Sequence, residues 1–549
     1  MQEQSSVAYR SVHTKLSSFS QPREHLRRLI AHGGALWFSL SLELVLLFYL
    51  LRPMLWSGYI NDDVANSQGP MWRAFNNVSI WTNFVDETGR WMRAEGRFFP
   101  GSVAETLLVF EVFQSREAYK VAQLAFVALA WASFVGFVAV WTRSLHYPVV
   151  AGWCALLALQ FRAAAHDPLL SYSVQQPVVA ILFFNALTLV ILTSRTSRRR
   201  WFLTCLAGST LLWVGGVLTY ETLYLLIPLP LTIIWWGLNG RRRRFALAAL
   251  MLPTMALMLF IFNLRSNVDN PAPGYQMNFE ASPFVHTFVY QSTGALPFSY
   301  PILSSAPPPR LQNGWDINGQ WDSIAIFASL ALIALSIRWL RPPPLEPRTA
   351  RLLAIGGALV LLVPSTLVAL TKRWQDGEVT WGLPYISVFL SSLGVVMCEV
   401  ALVSWLVRRA QTQAPKSLYK NVGLAIAGAV ASAVVVLAPL VIYDDNQWVV
   451  NSASPARAQR EAFIMLVETG AFDDIPDGAT LITDNASSFF WENGWFIQHY
   501  GGPRQLNVVL PTDPVVEMCG NTLRCFRFSS ASQVDGTEEQ RAYPYVSPP

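Results

Sequence analysis

The chain has 549 residues, of which 52% are hydrophobic and only 14% are charged. Soluble domains carry about 25% charged residues, so this composition excludes an ordinary soluble enzyme and indicates a polytopic membrane protein. The formal net charge of +5 comes from short basic clusters between apolar runs. Such clusters set membrane topology and do not form a continuous basic surface, so no nucleic acid is expected as a partner.

The N-terminal arm, residues 1–34, is polar and carries several arginines before the first apolar run at 35–51. This arm is long for a signal peptide, and no small-residue cleavage pattern follows. We therefore interpret the run as an uncleaved anchor whose N-terminus is cytoplasmic. Further basic clusters follow at 195–200, 241–244, 338–351 and 408–420.

Placing every basic cluster on the cytoplasmic side predicts a transmembrane domain at 35–443 with about eleven spans, each near the length of about 20 residues that a bilayer requires. The predicted spans are 35–52, 120–142, 147–165, 177–194, 201–219, 222–239, 245–264, 322–339, 351–370, 384–407 and 421–443. An odd number places the C-terminus on the exoplasmic side. The predicted fold class is an α-helical polytopic membrane protein with exoplasmic interface helices and a small C-terminal α/β domain.

The first exoplasmic loop, 53–119, opens with two adjacent acids, Asp62 and Asp63, about one turn after the first span. Acids at a membrane surface are costly unless they serve a function, so we predict a catalytic role, with a solvated loop cap as the alternative. Aromatic residues at helical spacing then predict a helix along the membrane interface. Arg97 lies in the turn that ends this helix, where it either binds substrate or pairs with a carboxylate of the same loop.

Three later exoplasmic segments supply further candidates for a substrate-binding role. His166 and Asp167 lie in a short turn, where a helix cap is the alternative. Glu221 lies in a turn too tight to be fully hydrated, and the alternative is an ordinary acid at a helix start. Lys372 and Arg373 lie outside against the positive-inside trend, where they either bind a lipid phosphate or extend to the lipid headgroups.

The long exoplasmic loop, 265–321, is rich in proline and glycine, which favours ordered irregular structure or a simple spacer. The tail, 444–549, has the composition of a soluble exoplasmic domain. Its predicted elements are helices at 456–468 and 487–500, strands at 479–483, 506–510 and 523–528, and disorder from Glu538.

The cysteines fall into two groups. Cys154, Cys205 and Cys398 lie inside apolar spans, which is typical of small buried hydrophobic side chains. Cys519 and Cys525 lie close together in the exoplasmic domain, where an oxidising compartment favours a disulfide. A zinc site is the weaker alternative, because no second Cys or His pair lies nearby.

The chain has no Walker loop, dinucleotide-binding glycine fingerprint, HExxH motif or GxSxG motif. The acid pair after the first span, the interface helices, the Gly96-Arg97 turn, an acid in a later turn, the late cations and the exoplasmic C-terminal domain together resemble the GT-C superfamily of membrane glycosyltransferases. The resemblance implies that a sugar moves from a polyprenyl-phosphate donor to an envelope glycan, lipid or protein at the exoplasmic face of the bacterial inner membrane. It favours Asp62 as the base.

The cofactor stays undefined at this point. The turn at His166 and Asp167 lacks the acid pair that would accompany a metal site in this superfamily, so the sequence does not require a divalent metal, and no metal ligands are assigned.

Two other classes of function stay open. A secondary transporter or flippase would place acids inside its spans and show repeated halves with broken helices. We expect neither here, which ranks the transporter second. A non-catalytic polysaccharide-assembly protein ranks third.

Overall fold

The computed structural model describes residues 22–60, 62–67, 69–163, 167–268, 276–304, 320–338, 343–412 and 418–453. In the C-terminal region it describes 476, 478–483, 507–509, 514, 516, 519, 525–534 and 540–547. The longer helices, in chain order, are α1 (Pro22–Leu51), α2 (Asp62–Ser67), α3 (Gly69–Asn76), α4 (Ile80–Glu95), α5 (Pro100–Val112), α6 (Arg116–Thr142), α7 (Tyr147–Leu157), α8 (Gln175–Arg195), α9 (Arg199–Thr219), α10 (Pro228–Gly237), α11 (Gly240–Ser266), α12 (Ala281–Gly294), α13 (Ser299–Leu303), α14 (Gln320–Arg338), α15 (Pro347–Ala369), α16 (Val388–Thr412) and α17 (Leu418–Ser452).

Within these ranges, eight helices are long and apolar enough to cross a membrane, and three shorter apolar segments, 147–157, 221–237 and 320–336, lie between them. Each of these overlaps one of the predicted spans. The chain is thus an α-helical polytopic membrane protein, as the sequence predicts. The number of segments that cross the membrane and their orientation stay predictions.

The first loop folds into the four short helices α2 to α5. Ser79 begins α4, because its hydroxyl accepts the backbone N–H of Thr82 at 3.0 Å. Gly96 ends α4 in the left-handed conformation with φ of 60°, and a Cβ at this position would lie 2.9 Å from Arg265. Glycine avoids both the backbone strain and this contact. Trp81 and Val85 are exposed on α4, as expected for a helix whose apolar face lies along the membrane.

The helices α15 and α16 pack backbone to backbone through two glycines. A Cβ on Gly357 would lie 2.7 Å from the carbonyl oxygen of Gly394, and one on Gly394 would lie 2.6 Å from the nitrogen of Leu361. Small residues permit such close approach between membrane helices. The segment that joins the two helices carries Lys372 and Arg373, so this packing fixes both ends of that segment.

Acids lie within the membrane helices, so the expectation of spans without acids was wrong. Glu43 lies in α1 and is fully buried, and Glu399 lies in α16 and is partly buried. The apolar windows that contain them still have a mean hydropathy of 1.9 and 2.0. One carboxylate changes the average over 18 residues only slightly, which explains why the span pattern conceals both acids.

The C-terminal region contains one described sheet. Its strands are β1 (Thr480–Thr483), β2 (Asn507–Val509), β3 (Cys525–Val534) and β4 (Gln540–Ser547), in the order β2-β1-β3-β4. The strand β1 pairs in parallel with β2 and β3, and β3 pairs with β4 in antiparallel fashion. The first three overlap the predicted strands, and the predicted helices at 456–468 and 487–500 lie outside the described residues.

The helix α17 and the strand β4 differ from the predicted limits of this region. The helix α17 continues to Ser452, past the predicted start of the tail at 444. The disorder predicted from Glu538 was wrong, because β4 gains a continuous ladder of backbone partners along β3. The structure also contains the disulfide between Cys519 and Cys525, whose Cα atoms are 5.5 Å apart.

Candidate active site

The two acids of the first loop begin the short helix α2 and point in different directions. Asp63 is fully buried, whereas Asp62 is exposed. Successive residues of a helix project about 100° apart, so one acid can turn into the protein while its neighbour faces outward. The structure therefore assigns different environments to two residues that the sequence cannot separate.

Asp63 ties three segments of the chain together. The hydroxyl of Tyr119 donates to its Oδ2 atom, and the backbone N–H of Ser173 donates to its Oδ1 atom at 2.7 Å. Burial raises the pKa of Asp63 to about 6, although the charge of Lys120 and both hydrogen bonds act in the opposite direction. With no exposed surface, Asp63 is placed to hold the loop in position, and it does not face a substrate.

The carboxyl group of Asp62 lies within electrostatic range of a cation from a distant loop. Surrounding protein raises the pKa of its carboxyl group, and Arg373 lowers it. The Asp62 side chain is accessible to water, and protein atoms also surround much of it. A carboxylate in the wall of an open cleft has both of these features. The first loop and the segment after α15 thus bring the Asp62 carboxylate and the Arg373 guanidinium within electrostatic range of each other.

Arg373 is held in place by its neighbours. Its Nε atom donates to Glu378 at 3.0 Å, and its guanidinium lies 4.9 Å from the ring centroid of Trp374. Trp374 is buried and stacks on Tyr385, with ring centroids 3.9 Å apart. The short segment from Trp374 to Glu378 has non-helical backbone at Asp376 and Gly377, which turns the chain so that Glu378 reaches Arg373.

Lys372 differs from Arg373 in that its side chain is exposed. Its backbone N–H donates to the carbonyl oxygen of Gln276 at 3.0 Å. The backbone is therefore fixed against the segment before α12, while the ammonium group can move. This arrangement suits a cation that adapts to a bound phosphate.

Two of the predicted substrate-binding residues pair with each other. Arg97 and Glu221 form an ion pair with Nε and Oε2 3.3 Å apart, and both side chains are largely buried. The guanidinium of Arg97 also lies 4.6 Å from the ring centroid of Phe99. Burial raises the pKa of the adjacent Tyr220 to about 12. The partner of Arg97 comes from a different loop, not from its own as the alternative held, and the pair connects the first loop to the turn after α9.

Asp167 acts as a cap for its turn. It is buried and accepts the backbone N–H groups of Arg162, Leu169 and Leu170, each at 2.8 Å. Burial raises its pKa to about 6, and the charge of Arg162 and these bonds lower it. The structure thus favours the capping alternative for Asp167 over substrate binding. His166 lies outside the described residues.

Sequence reasoning missed the buried polar network beneath the first loop. The Glu105 carboxylate accepts the hydroxyl of Ser173 and the backbone N–H of Val174, the latter at 3.1 Å. Burial raises the pKa of Glu105 to about 7. Ser173 has a left-handed backbone with φ of 39°, which is uncommon for a residue other than glycine, and it bonds both Asp63 and Glu105.

Lys120 belongs to the same network, because it is fully buried, donates to Gln123 at 3.0 Å and acts on Asp63. A lysine at the first residue of a predicted span looks like one that extends to the lipid headgroups, so its burial could not be predicted from the sequence. Among the described residues, no group of three or more His, Cys, Asp or Glu side chains is arranged to hold a metal ion.

Comparison with known proteins found similarity to solved structures only. No family model matches the chain, and no curated protein matches it. Among the solved structures that resemble it are two of ArnT from Cupriavidus metallidurans. The likeness is one of overall fold.

The two alignments are nearly equal. The ArnT structure bound to undecaprenyl phosphate covers 94% of this chain and 98% of its own, with a TM-score of 0.43 and 11% identity. The apo structure has the same coverage, with a TM-score of 0.42 and 13% identity. GT-C is the superfamily that the sequence resembles, and the functional case rests on this chain's own residues.

Proposed function

We propose that this protein is a membrane glycosyltransferase that moves a sugar from a polyprenyl-phosphate donor to an acceptor. The observation that supports it best is the electrostatic interaction of Asp62 with Arg373. These residues come from loops that are far apart in the chain, and an exposed carboxylate lies within electrostatic range of a fixed guanidinium. The proposed acceptor is a glycan, lipid or protein of the bacterial envelope, on the exoplasmic face of the inner membrane.

This pair of groups suits the chemistry. The acceptor hydroxyl attacks the anomeric carbon, the bond from that carbon to the phosphate oxygen breaks, and the phosphate leaves with the electron pair. Asp62 takes the proton of the hydroxyl, and a carboxylate whose pKa is raised is a better base for this step. Arg373 stabilises the negative charge that builds on the leaving phosphate. The exposed Lys372 is a second cation for the same group.

The remaining residues position this pair. Asp63 holds α2, and therefore Asp62, against α6 and the turn at Ser173. The ion pair of Arg97 with Glu221 holds the end of α4 against the turn after α9. Neither arrangement leaves a charge free for substrate, so we assign these residues to the support of the site.

The test is a comparison of lipid-linked sugars and envelope glycans in cells with and without the gene. Deletion should cause the donor lipid to accumulate and one sugar to disappear from a glycan. Wild-type protein should restore the sugar, and Asp62→Asn should not. Asp86→Asn is the matched control, because Asp86 is an exposed acid of the same loop. Unchanged glycans after deletion would refute the proposal.

A secondary transporter or flippase for a lipid-linked sugar is the second candidate. The observation that favours it is the presence of Glu43 and Glu399 within membrane helices, where acids commonly mark transport pathways. This function would leave Asp62 without a chemical role. Transport of a labelled solute by the Asp62→Asn variant at the wild-type rate, together with unchanged glycans, would decide for it.

A further inference from the structure

Side chains from three helices meet inside the membrane-spanning bundle. Glu43 of α1 lies against Gly152 of α7, and the missing Cβ of this glycine leaves room for the carboxylate. Cys154 of α7 donates its thiol hydrogen to Glu399 of α16. Both carboxylates act electrostatically on that thiol. The three side chains therefore form one cluster, although they come from separate parts of the chain.

The cluster is buried and its oxygens lack partners. Glu43 is 0% exposed, and neither of its carboxylate oxygens has a hydrogen-bond partner among the described residues. The Oε2 atom of Glu399 is likewise buried and unpartnered in this part of the chain. Buried polar atoms of this kind carry a large penalty unless a proton or a bound molecule satisfies them.

Within the described residues, no basic group acts on either carboxylate. Of the other titratable groups on the packed helices, Cys398 donates to the carbonyl oxygen of Ala354 at 3.5 Å. Tyr49 and Asp322 pair with each other at 2.7 Å. The negative charge of this cluster is thus not balanced by a neighbouring cation.

Depth in the membrane makes the charged state unfavourable. Glu43 and Glu399 lie near the middle of the apolar segments Gly34–Trp56 and Val388–Arg409. A single unpaired carboxylate at the bilayer centre is strongly unfavourable, and a second one nearby adds repulsion. The neutral, protonated form is therefore the stable state of these carboxyl groups.

A small cavity lies next to the cluster. It is lined by Val127, Trp131, Ala155, Ala158, Leu159, Phe389, Ser392 and Leu393. Trp131 connects the two, because its Nε1 atom donates to the carbonyl oxygen of Gly152 at 3.2 Å and its ring lies beside Glu43. Ser392 lies about two turns before Glu399 on the same face of α16. The cavity thus lies between the cluster and the first two turns of α16, which include Phe389 and Ser392.

We propose that Glu43, Cys154 and Glu399 form a proton-binding site inside the membrane, which exchanges protons with water through this cavity. On loading, a carboxylate oxygen takes a proton from water and loses its charge; on release, the proton returns to water. The site is separate from the proposed transfer site and does not depend on it.

Infrared difference spectroscopy of the full chain in lipid nanodiscs tests the proposal. Wild-type protein at neutral pH should show the C=O stretching band of a protonated carboxylic acid in an apolar environment. Glu43→Gln and Glu399→Gln should each remove part of that band, and Gln is isosteric with the protonated acid, so both variants should fold. Glu87→Gln, a change at a surface ion pair of α4, is the control and should leave the band unchanged.

Exchange with water is a separate part of the test. The band should shift when the nanodiscs are transferred to D2O. A band that does not shift would show a trapped proton and overturn the exchange, and identical bands in wild type and both variants would overturn the site. If the variants fail to fold, the wild type should react with N,N′-dicyclohexylcarbodiimide at Glu43 or Glu399, less so as the pH rises. The absence of an adduct on both would also refute the proposal.

Discussion

Replacing Asp62 and Asp63 one at a time should separate transfer activity from stability. Asp63→Ala leaves the Tyr119 hydroxyl and the Ser173 N–H buried without their acceptor. Each orphaned donor costs about 1–3 kcal/mol, so the loss of stability should be on the order of 2–6 kcal/mol. Asp62→Asn removes a base without changing size, so transfer should fall about 10²- to 10⁴-fold while stability holds.

The assay pairs two measurements on protein purified in the same detergent. Thermal unfolding reports stability, and transfer from a polyprenyl-phosphate sugar reports activity. Asp62→Ala serves as the control for truncation, because exposed positions change stability by less than about 0.5 kcal/mol. Equal loss of stability in Asp62→Ala and Asp63→Ala would refute the different environments. Wild-type transfer by Asp62→Asn would refute its role as the base.

Three further predictions concern other parts of the chain. Glu105 holds a proton more tightly when folded, because burial raises its pKa from the ordinary 4.5 to about 7, so its contribution to stability should fall by about 3 kcal/mol as the pH rises from 4.5 to 7. Chemical denaturation across this range should show the fall, and Glu105→Gln should make it smaller by about that amount. Arg373→Ala should lower kcat and also raise the KM for donor, because the guanidinium stabilises the charge that builds on the leaving phosphate, whereas Arg90→Ala, a change at a surface ion pair of the same outer face, should change neither in steady-state kinetics. A reporter at the C-terminus should be exoplasmic and one at Gly240 cytoplasmic, and the opposite result would contradict the predicted topology. Thiol labelling of the non-reduced protein should miss Cys519 and Cys525, and ready labelling of either cysteine would contradict the exoplasmic placement.

The membrane helices illustrate what hydropathy predicts well. Their positions follow from the need of each span to bury an apolar stretch and satisfy its own backbone, which is a local property of sequence. The strands β1 to β3 follow from local alternation in the same way. The strand β4 does not, because its partner is β3 and only their pairing stabilises it. Glu43 and Glu399 were overlooked because averaging over a span conceals one acid.

The sequence by itself determined that this is a polytopic membrane protein, where its helices lie, and which polar loops carry acids and cations. It also supplied both members of the pair Asp62 and Arg373. Only the tertiary structure decided that Asp63 turns inward to Tyr119 and Ser173, that Arg97 pairs with Glu221, and that Asp62 comes within electrostatic range of Arg373. The physical reason is that hydropathy acts over one helix, whereas hydrogen bonds and ion pairs depend on which distant segments the packed helices bring together.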